Sequence, residues 1–307
     1  MLVSVCTVTF NRRPFIPMMV RCFELQDYKG EMEWIIVDDG TDPIEDLVKH
    51  IPLVKYIRLD TKHVLGKKRN IMHSHCKGDI LVYMDDDDYY PPERVSHAVH
   101  VLTNSYALCA GSSIIHIYYH HLKKIIEFGP YGPMHATAGT FALKRELLDI
   151  TSYEENACMA EEKQFLKNYT IPFIQLDPKK VILVVAHDHN TVDKTSLLHV
   201  NNVKETTMKM EDFIQDPVLL NFFKQDVHSS LKSYVAGDKS NKPDVMEWLM
   251  KNERDRTFSI KMGDKILKGD EILTVLNQQQ TYIQELHKKI KSLQSELSNM
   301  INIFANK

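Results

Sequence analysis

No Cys-x-x-Cys pair occurs in this sequence; its five cysteines, Cys6, Cys22, Cys76, Cys109 and Cys158, are odd in number and widely spaced. That pattern speaks against a disulfide framework and a zinc site, and suits a reducing compartment. Charge of one sign is not in excess either. A formal net charge of -3 supplies no global field to draw in nucleic acid, so none is expected as a partner. Long apolar runs are also missing. After the N-terminus the longest is "VILVVA", Val181 to Ala186, far too short to span a bilayer. The opening "MLVSVCTVTF" has no basic leader, and "NRRP" follows it with no small-residue cleavage site, so it reads as a buried strand rather than a signal peptide. These absences lead to the expectation of a soluble, cytoplasmic protein without a transmembrane segment. Hydrophobic residues are 43% and charged residues 26% of 307, ordinary for one large α/β domain or two modest ones.

What is present begins with three short apolar runs of one design. "LVSVCTVTF" from Leu2, "MEWIIVDDG" from Met32 and "GDILVYMDDDD" from Gly78 are rich in β-branched or aromatic residues and end in polar ones. Such runs read as buried strands of a parallel sheet. Helical spacing in "RPFIPMMVRCFELQDY", and a helix "GKKRNIMHSHCKG" ending at Gly78, alternate with them. A shorter strand, "VKYIRL", lies between. Strand–helix–strand alternation implies right-handed crossovers on an open sheet. Beyond Pro92 the sequence reads as a helix ("ERVSHAVHVLTNS"), a strand pair ("ALCAGSSIIHIYYH" and "LKKIIEFG"), a strand entering a helix ("HATAGTFALKRELL"), a helix ("AEEKQFLKNY") and a strand ("VILVVAH").

In open α/β sheets ligands bind beyond the carboxyl ends of the strands. Thr9, Asn11 and Arg12, then Asp38 and Asp39, then Asp85, Asp86, Asp87 and Asp88 should therefore share one edge. Adjacent carboxylates in a partly buried crevice need a compensating cation. Two or three of them with phosphate oxygens and water make a hard-oxygen site for Mn²⁺ or Mg²⁺. The plain alternative is a solvated turn before "PPERV" with one aspartate, such as Asp88, as helix cap. "VDDG" at Val37 offers a carboxylate to a base or ribose, or simply an Asp-Gly turn. "LGKKRN", with Lys68 and Arg69, suits phosphate at a helix start, or is an exposed basic turn.

Taken together, "VSVCTVTFNRRPFI", "EWIIVDDGTD", "LGKKRN" and "GDILVYMDDDDYYPPERV" stand in the order and at the spacing of the nucleotide-sugar-binding half of a family 2-type glycosyltransferase. The resemblance covers residues 2–95 well and extends more weakly to about 190. It implies a GT-A fold: a mixed, mainly parallel Rossmann-like sheet flanked by helices. It also implies a UDP-sugar donor with a Mn²⁺ or Mg²⁺ cofactor, and transfer to a glycan, protein or other hydroxyl acceptor. Carried over residue by residue, Thr9, Asn11 and Arg12 line the nucleotide pocket. Asp38 and Asp39 reach uracil or ribose, and Lys68 and Arg69 lie near the pyrophosphate. Asp85 and Asp87 take the outer positions of the DxD element. Asp87 is the direct metal ligand, Asp85 serves ribose or metal, and Asp86 stands where the family carries a small residue. "MAEEKQF" puts Glu161 and Glu162 where the family has its catalytic pair, with Glu162 as the base of an inverting single displacement. His187 or His189 would be a further metal ligand, or a loop histidine. His135 and Thr140 are candidates for the acceptor wall. A Gln-x-x-Arg-Trp motif of processive synthases is absent, so transfer of one or a few sugars is expected. A looser likeness to homologues of large DNA viruses would make the cytoplasm that of a host cell.

Three divisions are expected: a GT-A domain at 1–200 (donor half 1–95, acceptor half 96–200), a helical extension at 201–265 containing the polar break "GDKSNKPD", and a C-terminal coiled coil at 266–307. The last rests on two series stepping by seven: Leu276, Ile283, Ile290, Leu297 and Phe304, and Ile272, Gln279, Leu286, Leu293 and Met300. This seam predicts a homo-oligomer, against the alternative of one amphipathic helix packed on its own domain. Two other functions compete. A nucleotidyltransferase acting on sugar phosphates shares the sheet and metal logic, but favours a glycine-rich loop where "TFNRRPF" has none. A non-catalytic sugar-nucleotide-binding coiled-coil protein is the other.

Overall fold

The computed structural model describes residues 1–307 except 192, 200, 201, 258, 264, 306 and 307; side chains are described except at these positions and at 199, 252–257, 259, 262, 268–271, 273 and 297–305. The N-terminal half alternates as the apolar runs require: β1 (Leu2–Thr9), α1 (Ile16–Glu24), β2 (Glu31–Asp38), α2 (Glu45–Val48), β3 (Val54–Arg58), α3 (Leu65–His75) and β4 (Ile80–Tyr83). These four strands are parallel, in spatial order β3-β2-β1-β4. β1, β2 and β4 bury both faces, while β3 lies at the sheet edge, half-exposed. On β2, Trp34 and Ile36 join one apolar cluster while Ile35 and Val37 join another across the sheet. Period-two alternation between two cores is why the run is continuously apolar. α3 stops at His75, three residues before the expected Gly78, because Cys76 takes an extended conformation.

The second half completes this sheet and adds another. It comprises α4 (Arg94–Thr103), β5 (Cys109–Gly111), β6 (Ile115–Tyr119), β7 (Lys124–Phe128), β8 (Ala142–Lys144), α5 (Glu162–Phe165), β9 (Phe173–Gln175), β10 (Leu183–Ala186) and β11 (Val203–Glu205). The first sheet continues β4-β8-β5-β9, with β8 antiparallel to both neighbours; the second runs β10-β6-β7-β11. The run read as a single strand from Ala107 is therefore two strands in different sheets, separated at Ser112 and Ser113, whose backbone groups are held by Thr140 Oγ1 and Gln175 Oε1. The expected helix at "AEEKQFLKNY" is one turn long. It unwinds through Lys167, Asn168 and Tyr169, all with positive φ. After β8, Arg145–Asp149 forms a tight three-residue-per-turn segment rather than an α-helix.

Past β11 come α6 (Pro217–Asn221), α7 (Val227–Lys232), α8 (Pro243–Thr257), β12 (Ser259–Met262), β13 (Lys265–Lys268) and α9 (Gly269–Ala305). Tertiary contacts group Met1–Val245 as one unit and Met246–Lys307 as another. Phe213, Leu219, Phe223, Val227 and Leu231 are buried in the main core, so the chain from 210 to 245 is integral to the first unit. In the second unit β12 and β13 pair antiparallel, and α9 runs for 37 residues. Its heptad residues Leu276, Ile283, Leu286, Ile290 and Leu293 are 41–55% exposed. The later positions Leu297, Met300 and Phe304 lie outside the described side chains. Among the described residues no helix is long and apolar enough to cross a membrane. All five cysteines are free and buried.

Candidate active site

The parallel register sets Thr9 beside Asp38 and Cys6 beside Tyr83, so the chain leaves β1, β2 and β4 at one edge. After β1 the backbone turns through Asn11, at φ 53°. Asn11 Oδ1 accepts the Asp42 N–H at 3.0 Å, which ties this turn to the loop after β2.

The two aspartates of that loop have different surroundings. Asp38 is fully buried, and its oxygens accept from Gly40 N–H (2.8 Å), Ile44 N–H (3.1 Å) and Tyr56 O–H (2.7 Å). It braces the loop from within. Asp39 accepts from His63 N–H (2.7 Å) and from Lys68 Nζ (2.5 Å), while Lys68 also donates to Thr9 O at 3.0 Å. Burial lowers the Lys68 pKa against the pull of Asp39.

The four aspartates after β4 disperse. Asp85 is half-buried, its side chain 28% exposed and 4.0 Å from Arg69. Its backbone N–H donates to Tyr90 O–H, which in turn donates to Gly139 O. A Cβ on Gly139 would lie 2.7 Å from Asp85 Oδ2, so only glycine allows this approach. Asp86 lies 3.8 Å and Asp87 3.3 Å from Arg12 Nε. Asp88 accepts the Val185 N–H at 3.0 Å, pinning β10 rather than capping α4. Burial raises the pKa of Asp85, of Asp86 to about 7, and of Asp88 well above the usual range; the charge of Asp87 adds to each shift. Burial opposes the Asp87 charge as well, but His187 and Arg12 outweigh it and hold that pKa low. A cluster with three raised carboxyls around one firmly ionised member is short of positive charge.

The two histidines part company. His187 Nε2 lies 3.3 Å from Asp87, and burial lowers the pKa of the ring against the pull of Asp87. His189 makes its link through its carbonyl, which accepts from Arg12 at 2.7 Å. Among the described residues no three His, Cys, Asp or Glu side chains form a closed metal cage. Two carboxylates that share an ion with a diphosphate need no such cage, and that donor set suits a hard divalent cation.

Arg69 joins this cluster to α5. Its Nε donates to Glu161 at 2.9 Å, it reaches Asp85, and its guanidinium lies over the Tyr83 ring at 4.9 Å. Glu161 is thereby fixed. Glu162 instead faces a cavity of about 260 Å³ lined by Tyr131, His135, Thr137, Val184, Lys194 and Leu197. Burial, then the charge of Glu161, raises its pKa to about 7. His135 thus lines the same cavity as Glu162, whereas Thr140 is buried and bonded to Thr137 O and Ser112 N.

Several contributors had no motif to betray them. Arg94, fully buried, donates to the carbonyls of Tyr83, Thr140 and Phe141 and so fixes the end of β4. The segment from Tyr234 to Asp244 straps the β1 turn. Asn11 donates to Ala236 O (2.8 Å), Arg12 to Gly237 O (3.2 Å) and Tyr234 to Asp42 (2.8 Å), and Lys62 pairs with Asp244. A Cβ on Gly237 would sit 2.6 Å from His189 Nδ1. The lysines of "GDKSNKPD" were the available signal, read as an ordinary polar break.

A mainly parallel sheet with carboxylates and cations gathered beyond β1, β2 and β4 defines the GT-A class of α/β fold. The profile described as Glycosyl transferase family 2 matches residues 4–166, more than half of the sequence, and the chain belongs to that family. A Haemophilus influenzae protein described as an uncharacterized glycosyltransferase is 28% identical over 103 residues, 33% of this chain and 34% of that protein. The chain thus spans about a third of that relative's length. A second relative, the Escherichia coli UDP-Glc:alpha-D-GlcNAc-diphosphoundecaprenol beta-1,3-glucosyltransferase WfaP, is 23% identical over 220 residues, 68% of this chain and 82% of that one. Among solved structures, S. aureus TarS 1-349 in complex with UDP-GlcNAc superposes with a TM-score of 0.51 at 19% identity, covering 81% of this chain and 72% of that one. At that identity the likeness is one of fold.

Proposed function

We propose that this protein moves one sugar at a time from a UDP-sugar to a hydroxyl acceptor, with inversion at the anomeric carbon and dependence on a divalent cation. The observation that carries the reading is the Arg69 bridge, 2.9 Å to Glu161 and 4.0 Å to Asp85, which places the carboxylate cluster beside the Glu162 cavity. Asp85 and Asp87 are the residues to hold Mn²⁺ or Mg²⁺, with His187 beside Asp87. A bound ion would neutralise charge on the departing diphosphate. Thr9, Asn11 and Asp39 form the nucleotide side. The Glu162 carboxylate takes the proton of the acceptor hydroxyl as that oxygen attacks. A neighbour's charge and burial tune it toward neutral pH, where a general base is most effective.

The test is calorimetry and transfer assays over a panel of nucleotide-sugars, with and without Mn²⁺. We expect Mn²⁺-dependent binding of a UDP-sugar; no metal-dependent binding of any nucleotide-sugar would overturn the reading. We also propose self-association through α9. Its exposed heptad residues include Ile283 and Ile290 at one core position and Leu286 and Leu293 at the other, a pairing that favours parallel dimers. Ending the chain after Asp270 should convert an oligomer to a monomer by light scattering. An unchanged solution mass would reject the proposal.

A further inference from the structure

We propose that Lys242, contributed by the strap and outside the family-matched residues 4–166, is a binding residue for the diphosphate of the donor. This rests on the reading of the site as a UDP-sugar pocket.

Three lysine ammonium groups surround the buried Phe10 ring: Lys62 at 5.5 Å, Lys242 at 5.8 Å and Lys68 at 5.9 Å from its centroid. Two of them have carboxylate partners, since Lys62 pairs with Asp244 and Lys68 with Asp39. Arg12, the next cation, is held by Asp87, Gly237 O and His189 O. Lys242 differs. Its Nζ donates to the Thr191 hydroxyl at 2.9 Å, and among the described residues no carboxylate lies within ion-pair distance. Asp86 and Asp87 attract it from further away, while Arg12 and Lys68 repel it.

A half-buried ammonium that is bonded, among the described residues, to a neutral hydroxyl and set among other cations is costly unless an anion completes the site. A diphosphate is such an anion. It brings more negative charge than the carboxylates already engaged can offer, and an ammonium meets it as a mobile point charge. The strap fixes the lysine. Ala236 O and Gly237 O are bound to Asn11 and Arg12, and Asp244 to Lys62, so residue 242 is anchored on both sides. The residues that hold the strap are those of the turn after β1, so donor pocket and strap are built together.

Calorimetry with the full-length protein at fixed Mn²⁺ tests this, using UDP and uridine as probes. Lys242→Met should weaken UDP binding by about 10- to 100-fold, the effect of removing one charged contact, and leave uridine binding unchanged. Lys242→Arg, which keeps the charge, should retain most of the UDP affinity. Equal UDP affinity in wild type and Lys242→Met would overturn the inference and leave the donor reading standing. So would an equal loss of UDP and uridine, which marks a structural role. Failure of the wild type to bind UDP would instead remove the donor reading, and this inference with it.

Discussion

Glu162→Gln should lower sugar transfer by about 1,000-fold while UDP-sugar affinity stays within a few-fold of wild type. The substitution keeps the size of the side chain and removes its capacity to take a proton. Glu161 remains on Arg69 at 2.9 Å, so the link between α5 and Asp85 survives. The pH profile makes the prediction sharper. Glu162 is pushed up to about 7 by burial and by the charge of Glu161. A general base must be ionised, so the wild-type rate should fall as pH drops below about 7, and the residual rate of the variant should lack that limb. Initial rates from pH 5 to 9 read both. Transfer near the wild-type rate in Glu162→Gln would move the base elsewhere.

Asp87→Ala should weaken Mn²⁺-supported UDP binding by about 100-fold, or roughly 2.7 kcal/mol. Titrations with and without the ion separate this from a general loss of affinity, because binding without metal should change far less. Asp87 is the one member of the cluster held firmly ionised, through His187 and Arg12, and its charge helps to raise Asp85, Asp86 and Asp88. Its removal relieves that repulsion but takes a partner from the buried Arg12 and His187, so thermal stability should fall modestly while the fold is kept. A folded variant that binds UDP with unaltered Mn²⁺ dependence would refute this account of the cluster.

The parallel half of the sheet was legible because its signals are local. Apolar runs that end in charge mark strand ends, and a parallel sheet brings strand ends to one edge. The roles within "MDDDD" were not. Beyond β4 the chain bends, so neighbouring aspartates face different ways and meet partners distant in sequence: Arg69 for Asp85, Arg12 for Asp86 and Asp87, Val185 for Asp88. No spacing rule encodes those meetings. The same holds for Asp38 and Asp39, which look alike in sequence but brace different loops. The break at Ser112 and Ser113 was hidden because residues on both sides favour strands; what separates them is the grip of Thr140 and Gln175 on their N–H groups. Reading "GDKSNKPD" as a spacer missed the strap, whose bonds to Asn11 and Arg12 span 225 residues.

The strap is sewn down at Tyr234 and Asp244 by side chains, but over the β1 turn it is held by its own carbonyl oxygens. Main-chain stitching is indifferent to what the intervening side chains are. The side chains between are spent inward: Asp238 accepts the Ser240 N–H and Asn241 donates to Val235 O and Ala236 O, so they shape the strap while its carbonyls moor it.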